Sequence, residues 1–324
     1  MKTPVSVVTG YLGSGKTTLI SALLRHPEMG ETAVIVNELG EVGIDHHIVS
    51  EIDERTVLLA SGCLCCTLRG DLADELRSLI DRRDAGAVPP FRRVVVETTG
   101  LADPTPIVST LLTEPLLRHQ IELDAVVATV DAQHGLRGPE SVKQAAIADV
   151  LVVTKTDLAD GDAVRVELER LNPLGDVVEV VHGAIDPARL FDRVPAGQRR
   201  SDNACVAATQ AMSAEPGAHV HEGDVGAEVL TFDEPLDWLG FGVWLTMLLH
   251  ARGQDVLRVK GLVDVGAEGP LLLNAVQHVV HPPQHLAAWP DDDDRRTRLV
   301  FIGRGFTGGE LAASLARFMP RVPG

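Results

Sequence analysis

The chain has 324 residues, 45% of them hydrophobic, which is enough for more than one domain with a sizeable core. Its 46 acidic and 29 basic residues give a formal net charge of −17, which argues against nucleic acid as a partner because nucleic-acid binding needs a basic surface. No apolar run reaches membrane-spanning length and no cleavable signal pattern follows Met1, so we expect a cytoplasmic protein with no membrane partner.

Short apolar runs alternate with helical patterns through residue 182. The predicted helices include Lys16–Leu24, Leu72–Arg82 and Ala163–Leu171. The predicted strands are Val5–Thr9, Ala33–Asn37, Val57–Leu59, Arg93–Glu97, Ala125–Val130, Leu151–Val153 and Val177–Val181. Several of these strands are apolar at nearly every position, as parallel strands buried on both faces are. The alternation predicts a doubly wound α/β domain over residues 1–185.

The regular pattern fades over residues 186–227, which we interpret as a linker, and returns over residues 228–324. A helix is predicted over Leu236–Ala251, with Leu239, Trp244, Leu245 and Leu248 facing inward. A capping box at Thr307 and Glu310 opens a last helix that extends to Met319. The predicted strands are Val229–Phe232, Val256–Val265, Leu271–Val280 and Thr297–Ile302. This order predicts a second, smaller α+β domain.

Residues 10–17 read GYLGSGKT and match the phosphate-loop pattern G-x-x-x-x-G-K-[ST], between a strand and a helix as the pattern requires. Glycines let successive backbone N–H groups point at phosphate oxygens, and the lysine adds positive charge at the β- and γ-phosphates. A chance glycine turn is the alternative. We therefore predict a P-loop NTPase domain that binds nucleotide at Gly10, Gly13, Ser14, Gly15, Lys16, Thr17 and Thr18.

An acidic residue on the Mg²⁺ side of the nucleotide is expected at the end of a neighbouring strand. Glu97 ends the run Val94–Val96 and can hold Mg²⁺ together with the Thr17 hydroxyl, while Gly100 lets a backbone N–H approach the γ-phosphate. Taken alone, Glu97 could be an ordinary acidic strand end.

Residues 154–157 read TKTD and follow the strand Leu151–Val153. The Asp157 carboxylate can accept two hydrogen bonds from guanine, whereas adenine would leave it unpaired. Lys155 can lie along the base and ribose. Thr154 stands where GTPases usually have Asn and can make only part of its bonds. A charged surface loop is the alternative interpretation.

Three thiols in four residues, Cys63, Cys65 and Cys66, lie between the phosphate loop and the predicted Mg²⁺ strand. Thiolates suit Zn²⁺, Co²⁺, Ni²⁺ and Cu(I), and Zn²⁺ needs at least one further ligand. Buried cysteines serving as small hydrophobes, or a redox pair, are the alternatives. Cys205 stands alone, so the pattern favours metal or redox chemistry over disulfides.

The segment 37–45, NELGEVGID, follows the second strand, where P-loop switches couple the nucleotide to a change of shape. Glu38 or Glu41 could position the attacking water, ligate Mg²⁺ or reach the metal bound by the thiols. His46 and His47 lie just beyond. A solvated acidic loop is the alternative.

Together these motifs resemble the CobW-type family of P-loop GTPases, which includes metallochaperones. The resemblance rests on GYLGSGKTT, NELGEVGID, GCLCC, ETTGLADP and TKTD, and on LRVKGLV and RLVFIGR near the C-terminus. It implies a GTPase domain, a CobW C-terminal domain, GTP and Mg²⁺, and a metal held by the C-x-C-C cysteines. Many members carry a long His-rich stretch, and His219 and His221 are its nearest equivalent in this chain.

These motifs predict a GTP-hydrolysing metallochaperone that delivers Zn²⁺ or Co²⁺ to a client metalloprotein. Its catalytic residues would be Lys16, Glu38, Glu41 and Glu97. Two other hypotheses stay open: an activator that remodels an apo-metalloenzyme, with structural cysteines, and a thiol redox switch on an NTPase. The sequence is also compatible with a homodimer.

Overall fold

The structure is a computed structural model that describes residues 2–37, 57–61, 70–191, 225–290 and 293–319. Glu38, Glu41 and the thiols of Cys63–Cys66 therefore lie outside the described residues, as do the paired histidines near residue 220. The chain divides into two compact units, the first built mainly on residues up to Leu168 and the second mainly on the chain after Pro195.

A parallel sheet forms the first unit. Its described strands are β1 (Thr3–Gly10), β2 (Thr32–Asn37), β3 (Val57–Ser61), β4 (Arg93–Glu97), β5 (Ile121–Asp131), β6 (Val150–Thr154) and β7 (Asp176–Val180). They are ordered β3-β2-β4-β1-β5-β6-β7, and each neighbouring pair is parallel. Crossover connections are therefore required between the strands.

Helices occupy the described crossovers, and strands at the centre of the sheet, such as β1 and β4, are buried on both faces. The helices are α1 (Lys16–Leu24), α2 (Gly70–Asp84), α3 (Thr105–Thr113), α4 (Gly138–Ile147) and α5 (Asp162–Leu171). On one face, Leu19 and Leu23 of α1 share a core with Val8 of β1. Val7, which points to the other face, is also fully buried. The predicted doubly wound α/β domain is confirmed.

The second unit is an antiparallel sheet with two helices among its described residues. Its elements are β8 (Gly226–Phe232), α6 (Trp238–Arg252), β9 (Val256–Val263), β10 (Leu271–Val276), β11 (Val279–Val280), β12 (Gln284–His285), β13 (Thr297–Gly303) and α7 (Gly308–Leu315). The strand order is β11-β10-β9-β13-β8, and β12 also pairs with β10. The predicted α+β class is confirmed. The capping box is also confirmed, since Thr307 and Glu310 bond to each other's backbone N–H groups.

Three predictions for the second unit are wrong, the first being the end of the last helix, which is Leu315 rather than Met319. Leu239 is 75% exposed, because the buried stripe of α6 runs through Phe241, Trp244, Leu245 and Leu249 at helical spacing and leaves Leu239 off it. The predicted strand Leu271–Val280 breaks into β10 and β11, because Gln277 turns the chain with a φ of 49°.

The predicted linker, residues 186–227, has described residues at both ends. A 3-10 turn, Pro187–Arg189, leads into Leu190 and Phe191, which pack in the core of the first unit. β8 starts at Gly226. The bounds of a linker between these points stay a prediction. Among the described residues, no helix is both long and apolar enough to span a bilayer.

Gly261 in β9 tests the packing of the second sheet. A Cβ there would lie 2.0 Å from the Arg298 carbonyl oxygen, so Gly261→Ala should lower the free energy of unfolding by about 1–3 kcal/mol. Gly242→Ala is the matched control, because a Cβ there meets nothing within 4 Å and should raise helix stability by up to about 1 kcal/mol.

Urea unfolding followed by tryptophan fluorescence measures both changes, because all three tryptophans lie in the chain after Pro195. Equal midpoints for the two variants would contradict the close approach at Gly261.

Candidate functional site

The phosphate loop, residues 10–17, joins β1 to α1 and is curled by glycines. Gly10, Gly13 and Gly15 have φ values of 143°, 73° and 94°, which glycine adopts readily. A Cβ on Gly10 would lie 2.2 Å from Thr129 Oγ1, so a side chain cannot be accommodated there. Gly15 directly precedes α1, so the curl leads into a helix N-terminus, which favours anions.

Lys16 lies inside this curl. Its Nζ donates hydrogen bonds to the carbonyl oxygens of Gly10, at 2.8 Å, and Tyr11, at 3.1 Å. The side chain is buried, so its charge is held within the loop rather than in solvent. The charge is therefore where the sequence predicts contact with phosphate oxygens.

Thr17 and Glu97 meet across the sheet edge. The Thr17 hydroxyl donates to Glu97 Oε1 at 2.9 Å, and Glu97 is 2% exposed. The parallel register, with Val8 opposite Glu97, places this carboxylate beside the start of the phosphate loop. A hydroxyl and a carboxylate are oxygen donors of the kind that Mg²⁺ prefers, so the pair fits the ion that the motif implies.

Gly100 lies against the phosphate loop. A Cβ on Gly100 would come within 2.6 Å of the Leu12 backbone nitrogen, so only glycine permits this approach. From α4, the buried Gln144 donates through Nε2 to the carbonyl oxygens of Gly100, at 3.3 Å, and Ala102, at 3.0 Å. The loop after β4 is thus held on one side by the phosphate loop and on the other by α4.

Thr154 ties the predicted base loop to the phosphate loop. Its Oγ1 lies 2.7 Å from the Ser14 carbonyl oxygen and 3.3 Å from that of Val130. The threonine side chain is also 3.5 Å from where a Cβ on Gly15 would lie. Thr154 therefore contacts the phosphate loop from a position where GTPases usually have Asn.

The next residues of the TKTD motif face different partners. Lys155 Nζ is 2.5 Å from Asp131 Oδ2, at the end of β5. The Asp157 carboxylate is more exposed than that of Asp131, and His182 Nε2 lies 3.8 Å from it. Asp157 thus remains accessible to a ligand.

The pKa of Asp131 is shifted by opposing effects. Burial raises the pKa, but hydrogen bonds from Lys155, His134 and the Gln133 N–H outweigh burial and hold the pKa below its ordinary value of 3.8. The carboxylate is therefore ionised at neutral pH. Its stabilising contribution is complete above pH 3.8 and is lost only as the pH falls through the lowered pKa.

The predicted transition-metal ligands Glu38, Glu41, Cys63, Cys65 and Cys66 lie outside the described residues. Within the residues that the structure describes, no group of three or more His, Cys, Asp or Glu side chains is arranged to hold a metal. The strands that lead into these segments are described, however. Asn37, the last residue of β2, pairs with Ser61, the last residue of β3.

Sequence reasoning missed several contacts of this site. Asp131 ends an apolar strand, the same signal that drew attention to Glu97, but it belongs to no recognised motif. Gln144 lies mid-helix, and Thr129 contacts the phosphate loop through a 2.6 Å bond between its Oγ1 and Ser14 Oγ. Nothing in a single sequence marks these two positions.

Comparison with known proteins covers nearly the whole chain. Residues 4–181 match the CobW/HypB/UreG nucleotide-binding domain, and residues 225–319 match the cobalamin synthesis protein cobW C-terminal domain. The zinc chaperone YjiA of Escherichia coli is 32% identical, with 96% of this chain and 97% of that protein covered. The zinc-regulated GTPase metalloprotein activator 1 of Schizosaccharomyces pombe is 29% identical over 62% of this chain and 51% of that protein.

A solved structure also matches nearly the whole chain. The Zn(II)-bound YjiA GTPase in which one glutamate and two cysteines are replaced by alanine superimposes with a TM-score of 0.73. Sequence identity is 27%, and the match covers 99% of this chain and 100% of that one.

The contact of Thr154 with the phosphate loop predicts an effect on nucleotide affinity. Thr154→Val keeps the shape but removes the hydroxyl, so the dissociation constant for GDP should rise about threefold to tenfold, the worth of one neutral hydrogen bond. Thr154→Ser keeps the hydroxyl and should bind nearly as the wild type does. Isothermal titration calorimetry measures both constants. Wild-type affinity in the valine variant would show that this bond does not support the loop.

Proposed function

This chain belongs to the CobW family of P-loop GTPases, and we propose that it hydrolyses GTP to GDP and phosphate and carries a transition metal, with zinc as the first candidate and cobalt as the second. One arrangement above all supports hydrolysis. Lys16 and Thr17 belong to the glycine-curled loop, and Glu97, at the end of β4, bonds to Thr17. Phosphoryl transfer requires positioning and charge stabilisation more than covalent chemistry, and this arrangement supplies both.

Each group at the loop has a proposed task. Lys16 and the loop N–H groups stabilise the negative charge of the transferring phosphoryl group. Thr17 and Glu97 hold Mg²⁺, which when bound neutralises charge on the phosphate oxygens. Glu38 or Glu41 positions the attacking water. Thr154 and Gly100 keep the loop in shape.

Base recognition is assigned to the loop after β6. The accessible carboxylate of Asp157 accepts from the N1–H and N2–H₂ of guanine, and the stem of Lys155 covers the base and ribose. An adenine base would leave Asp157 without these donors, so we propose that GTP is preferred over ATP.

Metal carriage is supported by the ends of β2 and β3. Because Asn37 pairs with Ser61, the chain enters the segments with Glu38 and with Cys63 from neighbouring positions at one sheet edge. Val36 in turn pairs with Glu97, so the same edge adjoins the proposed Mg²⁺ site. A ligand set drawn from Glu38, Glu41, Cys63, Cys65 and Cys66 can therefore respond to the nucleotide.

The relatives bear on the choice of metal and partner. YjiA is described as a zinc chaperone, and its structure has been solved with Zn(II) bound. The fission-yeast relative is described as a metalloprotein activator. We therefore propose a client metalloprotein as partner, and we keep the cytoplasm, which is expected from the sequence, as the proposed place of action.

The activator relative also supports a second candidate function. In that version the chain remodels an apo-metalloenzyme client, and the cysteines are only structural. A Cys63→Ser/Cys65→Ser variant that still activates a client would favour this version over metal carriage.

Glu97→Gln tests the catalytic assignment. The amide is isosteric but neutral, so the Mg²⁺ concentration for half-maximal GTP hydrolysis should rise at least about tenfold, since a charged oxygen ligand is lost. Glu169→Gln, at an exposed position of α5, is the matched control and should leave the Mg²⁺ dependence unchanged. Phosphate release measured against Mg²⁺ concentration gives both values. An unchanged Mg²⁺ dependence in Glu97→Gln would remove this residue from the metal site.

Zinc affinity tests the coupling. The wild type should bind Zn²⁺ at least about tenfold more tightly with a non-hydrolysable GTP analogue than with GDP, as a typical coupling free energy allows. Cys63→Ser/Cys65→Ser should abolish this difference, and Cys205→Ser should keep it. Competition with a chromogenic zinc chelator measures the affinities. Equal affinities with the two nucleotides in the wild type would rule out nucleotide-controlled carriage.

A further inference from the structure

Asp131 is a buried carboxylate to which the proposed reaction assigns no task. Its side chain is 10% exposed and lies at the carboxyl end of β5. Oδ1 accepts from the Gln133 N–H at 2.8 Å, while Oδ2 is 3.1 Å from His134 Nδ1 and 2.5 Å from Lys155 Nζ. Both oxygens are therefore engaged, and the Lys155 contact is the shortest of the three.

Lys155 has a backbone that needs support. Its φ is 59°, in the left-handed region that glycine and asparagine favour and that lysine seldom adopts. Its carbonyl oxygen accepts from the N–H of Leu158 at 2.9 Å, which closes a tight turn around Asp157. The ammonium end, fixed at Asp131, is the second support. With both ends held, the aliphatic stem runs from the end of β6 to the end of β5.

The backbone also joins the same two strand ends. The Ala132 N–H donates to the Thr154 carbonyl oxygen at 2.9 Å, and β5 pairs with β6 up to Asp131 opposite Thr154. The ion pair thus acts on a frame that the backbone already fixes. Removing the charge of Asp131 would then release the side chain of Lys155 without unfolding the strand ends.

We propose that Asp131 is the positioning residue for Lys155 and thereby sets affinity for the nucleoside part of the nucleotide, while the phosphate loop holds the phosphates without its help. This inference rests on the proposed binding of GTP and GDP. A lysine stem held straight presents an apolar surface that can cover one face of a flat base. A free Lys155 would have to be ordered anew each time a nucleotide bound, which weakens binding.

The experiment compares GDP with inorganic pyrophosphate, which presents phosphates without a nucleoside. In Asp131→Asn the dissociation constant for GDP should rise about tenfold or more, while that for pyrophosphate stays within about twofold. Glu179→Gln is the matched control: it breaks another ion pair of the first unit, with Arg165 at 2.6 Å, and should leave both constants unchanged. Calorimetric titration of the 324-residue chain measures all of them.

A double-mutant cycle tests the route of the effect. If Asp131 acts through Lys155, the Asp131→Asn/Lys155→Met double variant should bind GDP no more weakly than Lys155→Met alone. Additive losses would overturn the proposal. So would an equal loss of GDP and pyrophosphate affinity in Asp131→Asn, which would mark a residue that merely supports the fold of the site. Unchanged GDP affinity in that variant would overturn it as well.

Two further results keep the test decisive. If Asp131→Asn does not fold, Lys155→Met alone tests the proposal. Undiminished GDP affinity in Lys155→Met would show that Lys155 does not contribute to binding, and this would overturn the role of Asp131. Wild-type chain that binds GDP no more tightly than ADP would remove guanine recognition itself, and with it the premise. Tight and selective GDP binding by the wild type, with no effect of the variants, would remove only the role of Asp131.

Discussion

The shape of the phosphate loop depends on hydrogen bonds that join it to three strand ends. Ser14 Oγ bonds to Thr129 Oγ1 of β5, the Ser14 carbonyl accepts from Thr154 of β6, and Thr17 donates to Glu97 of β4. Parallel pairing brings these carboxyl ends to one edge of the sheet, on either side of β1. A glycine-rich loop has much conformational entropy to lose, so these bonds are what keep it ready for phosphate.

Much of this could be predicted from the sequence. Buried strands alternating with helices determine the fold class, and the spacing of GYLGSGKT determines where the phosphates are expected. Leu239 is predicted wrongly because it lies five residues before Trp244, a spacing that falls off the i, i+3, i+4 stripe wherever the helix begins. Gln144 is missed because its partners, Gly100 and Ala102, are distant in sequence. Asp131 is missed because its strand end, although it gives the same signal as Glu97, belongs to no recognised motif.

The same edge of the sheet explains how a nucleotide and a metal could share one domain. The ends of β2 and β3 are neighbours, and β2 also adjoins Glu97 beside the phosphate loop. The acidic and cysteine segments start from these two ends. A carrier has to release its ion, so a site completed by a movable carboxylate suits transfer better than a closed set of four thiolates. Coupling through this edge would place release under the control of hydrolysis.

Because coupling between two ligands is reciprocal, the proposed coupling of nucleotide and zinc can also be measured as an effect of zinc on nucleotide affinity. If the nucleotide changes zinc affinity, zinc must change nucleotide affinity by the same factor. The decisive measurement is the affinity for a non-hydrolysable GTP analogue with and without saturating Zn²⁺, at constant Mg²⁺. We expect at least about tenfold tighter binding of the analogue with zinc, and GDP affinity that changes much less. Analogue affinity that is the same with and without zinc would contradict the account.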